Sequence, residues 1–158
     1  MPHSDEVTPW QKPAAWHPKL ERLYAYWQSI HPPQGLPGRQ HIEPTAIPDL
    51  LPDLYMVDVL GPPWRFKYRL VGTEYASRMG HDLTGRFLDE AHPGFVQLAP
   101  HYVATVERKQ PDYRNGPVLF TAAQKDFRRI ERLMLPLARD GAHVDMILGV
   151  IVYLRDGN

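Results

Sequence analysis

The stretch FKYRLVGTEYASRMGHDLTGRF, residues 66–87, decides the fold. Apolar and charged side chains alternate over residues 66–71, and this two-residue period predicts a strand with one apolar face. We expect Thr73 to cap a short helix that ends at Gly80, because threonine favours helix starts and glycine favours helix ends. The stretch therefore predicts a strand followed by short helical pieces that cover one side of a sheet.

An amphipathic helix is predicted within residues 17–31. Residues 1–16 have no such period and are expected to be a flexible segment. The segment 32–63 is rich in proline, which forbids long helices, so we expect only a short helix at residues 45–51. The apolar residues of the first helix recur at spacings of three and four and form one stripe: Leu20, Leu23, Tyr24 and Trp27.

Strands dominate the expected structure of the remaining chain. Residues 54–60 and 66–71 read as a strand pair, and a helix follows at 95–110, interrupted by Pro100. Three further strands are predicted at residues 116–121, 128–138 and 144–155. This order predicts an α+β fold with a five-stranded antiparallel sheet, short helices on one face and the amphipathic helix at the N-terminus. We expect residues 32–158 to form this domain.

The last predicted strand is apolar on both of its faces. Val144, Met146, Leu148, Val150 and Val152 lie on one face, and Ile147, Ile151 and Tyr153 lie on the other. We expect the short helices to cover one face and the N-terminal helix or a second subunit to cover the other. The predicted interface comprises Leu20, Leu23, Tyr24, Trp27, Ile147, Ile151 and Tyr153.

The composition excludes several functional classes. The 158 residues include 18 basic and 18 acidic side chains, so no net charge favours nucleic acid or an anionic membrane. No cysteine is present, which excludes disulfides and thiol chemistry and is typical of a reducing compartment. The longest apolar run, residues 144–154, is too short to span a bilayer as a helix. We expect a soluble, cytoplasmic protein.

Catalytic and metal-binding motifs are not found in the sequence. Ser4, Ser29 and Ser77 lie outside any G-x-S-x-G turn, and no two histidines have the spacing of a local metal site. Arg128, Arg129 and Arg132 are interrupted by Glu131, and we expect a solvated or interface surface there rather than a nucleic-acid site. We predict no catalytic residues and no metal site.

Four segments give the chain a family resemblance. LERLYAYW (residues 20–27), PGRQHIEPTAIPDLLPDLYMVDV (37–59), YRLVGT (68–73) and GHDLTGR (80–86) occur in this order before a long C-terminal hairpin. The chain resembles the bacterial single-domain PAS proteins of the PAS_5 family, formerly a domain of unknown function. The resemblance implies a PAS fold over about residues 20–154, whereas ligand and output differ among proteins that share this scaffold.

A small-molecule cavity between helices and sheet is the candidate binding site. Thioethers and aromatic rings with a hydroxyl group suit such a cavity, although the same side chains also fill ordinary cores. The resemblance to PAS domains also raises haem, with His101 or His92 as ligand, or a flavin, but the helical wheel turns His101 away from the cavity. The candidate ligand-binding residues are Tyr68, Tyr75, Met79, Phe87, Tyr102, Met134 and Met146.

The sequence and its resemblance predict a non-catalytic sensory or interaction domain in bacterial signalling. A small ligand or a protein partner would change the arrangement of the N-terminal helix, and the output would pass through homodimer formation or an unknown signalling protein. The alternative is a haem or flavin sensor, or a small-molecule enzyme, that uses the same cavity.

Overall fold

A computed structural model describes residues 10–118 and 129–155. Within these ranges the helices are α1 (Pro18–Ser29), α2 (Thr73–Met79), α3 (Leu88–Ala91) and α4 (Ala99–Arg108). The strands are β1 (Leu54–Leu60), β2 (Arg65–Val71), β3 (Asp112–Pro117), β4 (Arg129–Leu137) and β5 (Met146–Leu154). They form one antiparallel sheet in the order β2-β1-β5-β4-β3. The predicted α+β fold with a five-stranded antiparallel sheet is confirmed.

The sheet carries a separate apolar core on each face. The outer face, covered by α1, receives Leu148 and Val150 of β5, and the inner face, covered by α2, α3 and α4, receives Ile147. Successive residues of a strand point to opposite faces, so the central strand β5 contributes to both cores. This double burial explains why the strand is apolar throughout.

Helix α1 is held firmly on the outer face. Leu20 and Leu23 are wholly buried, and Nε1 of Trp27 donates a hydrogen bond to the carbonyl oxygen of Pro136 in β4 at 3.1 Å. Pro18 occupies the first turn, where its missing N–H has no cost. The amphipathic stripe thus forms part of the domain's own core. The predicted division of the chain at residues 16 and 31 stays a prediction.

One part of the interface prediction is wrong about the face. Ile147, Ile151 and Tyr153 are predicted to face α1, but they lie on the other face of the sheet and pack in the inner core with α2 and α4. The register of β5 places Leu148, Val150 and Val152 under α1 instead. The sequence alternates correctly, but both sets are apolar, so the pattern alone does not decide which set meets which helix.

Three element boundaries also differ from the predictions. Instead of a helix at 45–51, the proline-rich segment forms 3-10 turns at Pro44–Ala46 and Leu51–Asp53, because proline cannot donate the hydrogen bonds of a longer helix. Thr73 begins α2 rather than capping it, and Gly72 is the flanking residue, whose added Cβ would lie 2.4 Å from the carbonyl oxygens of the Leu51–Asp53 turn. The predicted helix at 95–110 is a 3-10 turn followed by α4.

The third strand was predicted at residues 116–121, but β3 spans Asp112–Pro117. Its sequence DYRNGP is polar and lacks the apolar alternation by which strands are recognised. The rest of the predicted strand, residues 119–121, lies outside the described residues, as does residue 128 of the next predicted strand. None of the helices in the described ranges has both the length and the apolarity needed to cross a bilayer.

Candidate functional site

Four buried tyrosines form the polar centre of the inner core. The hydroxyl oxygens of Tyr55 and Tyr102 are 3.1 Å apart, and those of Tyr68 and Tyr75 are 2.7 Å apart. Either hydroxyl of a pair can be the donor. Each phenol therefore has a hydrogen-bonding partner although it is removed from water, which avoids the cost of an unpaired buried polar group.

His92 extends this hydrogen-bonded cluster. Its Nε2 lies 2.6 Å from the hydroxyl oxygen of Tyr68, and burial, followed by the nearby Arg86 and His81, lowers the pKa of His92 to about 4. The imidazole is consequently neutral at neutral pH, when one ring nitrogen donates and the other accepts. His92 links α3 to the sheet through Tyr68.

The tyrosine hydroxyls are poor bases in this environment. Burial raises the pKa of Tyr55, Tyr68 and Tyr75 well above the ordinary value of 10, and neighbouring phenols contribute further. Desolvation disfavours the charged phenolate, so these groups stay protonated at physiological pH. They can orient a ligand by hydrogen bonding but do not abstract protons.

A small cavity lies between the tyrosine cluster, α2, α4 and the β3–β4–β5 part of the sheet. Its volume is about 30 Å³, and a buried water needs roughly 10–15 Å³. The strand β5 passes close beneath it, because Gly149 has no Cβ and the Tyr55 ring occupies that space. The lining residues are Tyr55, Tyr75, Met79, Leu98, Tyr102, Arg114, Val118, Ile130, Arg132, Ile151 and Tyr153.

Arg132 is the most unusual side chain of this lining. It is 3% exposed, and its Nη2 donates to Oδ2 of Asp112 in β3 at 2.6 Å. Its Nε and Nη1 are buried without a hydrogen-bond partner among the residues that the structure describes. The guanidinium also lies 5.8 Å from the centre of the Tyr102 ring, close enough for a cation–π contact. A permanently charged group with unused donors thus lines the cavity.

Arg114 brings a second positive charge to the same place. It faces Arg132 across the β3–β4 ladder, and its Nη2 donates to the carbonyl oxygen of Pro117 at 2.8 Å. Burial, and then the charge of Arg132, lowers the pKa of Arg114 from its ordinary value. Asp112 is the carboxylate paired with Arg132, and its other contact is His101, with 3.3 Å between Nδ1 and the carboxylate. This end of the cavity is electropositive.

The predicted ligand-binding residues divide into three groups. Tyr75, Met79 and Tyr102 line the cavity, whereas Tyr68 and Met134 are buried in the same core beside it. Phe87 lies elsewhere, with the guanidinium of Arg65 3.8 Å from its ring centre, and Met146 packs against the outer core. For these last two residues the predicted place in the cavity is wrong.

Sequence reasoning missed other residues of the site. Arg132 was assigned to a solvated or interface surface, but it is buried, because β4 turns it to the same face as Met134. Tyr55 was not proposed, although it alternates with Val57 on the inner face of β1. The signal that marks both residues is the two-residue period of their strands.

Both histidines that were considered as haem ligands have other partners. His101 is 44% exposed and turned towards Asp112, and His92 uses Nε2 for its contact with Tyr68. The cavity that the described residues enclose, about 30 Å³, is smaller than a macrocycle or an isoalloxazine ring. Within residues 10–118 and 129–155, no three histidine or acidic side chains come together as metal ligands.

Two neighbouring pairs of residues in β3 and β4 connect the cavity on the inner face with the start of α1 on the outer face. Asp112 and Arg132 form the inner pair, next to the cavity. On the outer face, Oε1 of Glu131 accepts from the hydroxyl of Tyr113 at 2.8 Å and from the backbone N–H of His17 at 3.1 Å. Arg132 and Glu131 are consecutive, so one strand segment contacts both the cavity and the N-terminus of α1.

Comparison with known proteins agrees with this architecture. A family model described as PAS domain, PAS_5, matches residues 15–152. The PAS domain of BvgS from Bordetella pertussis has a TM-score of 0.52 at 12% identity, with 87% of this chain and 89% of that chain covered. A sensory box sensor histidine kinase from Vibrio cholerae gives 0.51 at 11% identity, with 70% and 88% covered. At these identities the likeness shows the fold alone. No curated protein matches the chain.

Proposed function

The chain belongs to the PAS_5 family of PAS domains, and from this premise we propose that it is a sensory module without catalytic chemistry of its own. PAS domains generally act as sensory and signalling modules. In this proposal a small ligand occupies the cavity on the inner face of the sheet, and its presence alters how α1 sits on the outer face. A second copy of the chain or a cytoplasmic signalling protein then responds to α1.

The shared segment of β3 and β4 carries this proposal. A ligand that binds Arg132 would shift this residue and with it the preceding residue, Glu131. The carboxylate of Glu131 accepts a hydrogen bond from the backbone N–H of His17 at the start of α1. The aromatic rings of Trp16 and Tyr113 are 5.9 Å apart in an edge-on contact, so β3 also contacts this part of the chain. Rigid strands transmit such shifts when the two faces are both closely packed.

The chemistry of the cavity supports binding rather than catalysis. Its polar groups are protonated phenols and guanidiniums, which donate hydrogen bonds but do not abstract a proton near neutral pH. A few polar donors in a mostly apolar site are typical of small-molecule receptors, where they fix the orientation of the ligand. These properties favour the sensory proposal over the enzyme alternative.

A cavity-filling substitution tests the coupling between the cavity and α1. Ile130→Phe adds volume at a lining position that is 3% exposed, whereas Val96→Phe adds the same type of ring at a position that is 77% exposed. We expect Ile130→Phe to change amide hydrogen exchange in α1 by at least about threefold while β1 remains unchanged, and Val96→Phe to change neither. Unaltered exchange in α1 of folded Ile130→Phe would refute the coupling.

Native mass spectrometry and an absorption spectrum of freshly purified protein test the ligand itself. A small noncovalent mass that is lost on unfolding, without absorption above the aromatic band, supports the receptor proposal. A Soret or flavin band would instead identify a cofactor sensor and contradict the proposal of a small-ligand receptor. Sedimentation velocity of the same samples determines whether the species that responds is a dimer.

A further inference from the structure

Among the residues that the structure describes, the charges around the cavity do not balance. Two guanidiniums line it, that of Arg132 buried and that of Arg114 partly buried, and the carboxylate that Arg132 contacts is that of Asp112. Nδ1 of His101 lies 3.3 Å from the same carboxylate. Burying an uncompensated charge in a low-dielectric interior is costly unless a counterion reduces the penalty. The site therefore favours an additional negative charge.

The donors of Arg132 show where this charge belongs. Only Nη2 is used by Asp112, while Nε and Nη1 have no partner within the described residues. A buried N–H without an acceptor costs free energy, and a hydrogen bond from a charged donor to an anionic acceptor is stronger than one between neutral groups. An oxyanion beside Arg132 would satisfy these donors and offset the charge of Arg114.

The remaining walls restrict the ligand further. Leu98, Ile130 and Ile151 are apolar and face the same space as the guanidinium. A cavity of about 30 Å³ accepts only a few heavy atoms. Inorganic anions carry charge on every side and would leave the apolar walls without a matching surface. A short carboxylate has one charged end and one apolar end, as the cavity does.

We propose that this cavity is a receptor site for a small monocarboxylate of acetate or propionate size, held by Arg132 with Arg114 as a second positive charge. The inference rests on the proposed ligand cavity and specifies its ligand class. Tyr102, whose ring contacts the guanidinium and whose hydroxyl contacts Tyr55, adjoins the bound carboxylate.

Thermal unfolding in the presence of defined salts tests the site. If the Kd is in the millimolar range, acetate or propionate at a concentration of about ten times the Kd is expected to raise the Tm of the full chain by about 3 °C. Acetamide, propionamide and sodium chloride at equal ionic strength are expected to have no such effect. Equal stabilisation by chloride, or no stabilisation by either carboxylate, would overturn the proposal.

Two variants assign the effect to Arg132. Arg132→Gln is expected to lose the carboxylate-dependent shift, while Arg129→Gln, an exposed arginine on the same strand, retains it. Removing one partner of a buried ion pair destabilises proteins, so Asp112→Asn/Arg132→Gln removes both charges and keeps the test valid if the single variant does not fold. A shift that persists in the folded double variant would exclude Arg132 as the anchor.

Saturation-transfer NMR from the protein to the propionate methyl group provides a second readout that does not depend on stability. Failure of the carboxylate inference can be distinguished from failure of the proposed function. If native mass spectrometry finds a neutral ligand and Ile130→Phe changes amide hydrogen exchange in α1, the proposed sensory function stands and the anionic ligand is rejected. Unaltered α1 with Arg132-dependent carboxylate binding would retain the site and reject the coupling.

Discussion

Replacing Gly149 with alanine is expected to destabilise the protein by about 2 kcal/mol, because β5 passes directly beneath the ring of Tyr55. An added Cβ would lie 2.4 Å from Cε1 and Cζ of that ring and 2.8 Å from its hydroxyl oxygen. Such distances are well inside van der Waals contact, so the ring or the strand must move. The glycine therefore leaves room for the ring of Tyr55, which lines the cavity.

The magnitude follows from how firmly Tyr55 is held. Its side chain is 1% exposed, its hydroxyl pairs with Tyr102 at 3.1 Å, and its ring stacks on Tyr75 at 5.2 Å between centroids. Overpacking a core costs about 1–3 kcal/mol and a lost hydrogen bond about 1 kcal/mol. Alanine recovers about 0.4–1 kcal/mol by restricting the unfolded chain. The balance is about 2 kcal/mol of destabilisation.

Urea unfolding of a double-mutant cycle measures this contact. Tyr55→Leu removes the ring that Gly149→Ala would strike, so the double variant is expected to be more stable than the two single effects predict, by at least about 1 kcal/mol. If Gly149→Ala is as stable as the wild type, or if the two changes are additive, the close approach of β5 to Tyr55 is refuted.

Three further predictions concern other parts of the molecule. The pKa of His92 is about 4 in the folded protein against an ordinary 6.5, so the unfolded state binds the proton first, and the stability present above pH 6.5 is lost as the pH falls towards 4. Between pH 7 and 5 the wild type should lose about 1–2 kcal/mol more than His92→Gln in urea titrations. Leu23→Ala should cost about 3 kcal/mol because Leu23 is wholly buried. Arg22→Ala should leave the urea midpoint nearly unchanged, because its ion pair with Asp49 is exposed.

Most of the fold could be predicted because its elements follow simple periods. The stripe of α1 recurs at helical spacing, and β1, β2, β4 and β5 have apolar residues at strand spacing. Strand β3 could not be located in this way, since its sequence DYRNGP is polar and its pairing with β4 is determined by tertiary contacts. Local pattern indicates a strand only where one face is apolar.

The candidate site was predicted less completely. Tyr75, Met79 and Tyr102 were found because apolar and aromatic side chains on short helices face the sheet. Arg132 was assigned to a solvated or interface surface together with Arg128 and Arg129, but its partner Asp112 lies 20 residues earlier in the chain. Such a pair becomes visible only when the register of β3 on β4 is known.

The energetics of α1 restrict how any signal can leave this domain. Its four buried side chains each contribute about 1.5–3 kcal/mol, which in sum approaches the whole stability of a typical domain. A ligand at ten times its Kd contributes only about 1.4 kcal/mol, too little to detach the helix. In the proposed mechanism a ligand would therefore select between two docked positions of α1 that differ in a few contacts. The hydrogen bond from the His17 N–H to Glu131 has a free energy comparable to that of ligand binding, because one charge-assisted bond contributes about 1.5–3 kcal/mol.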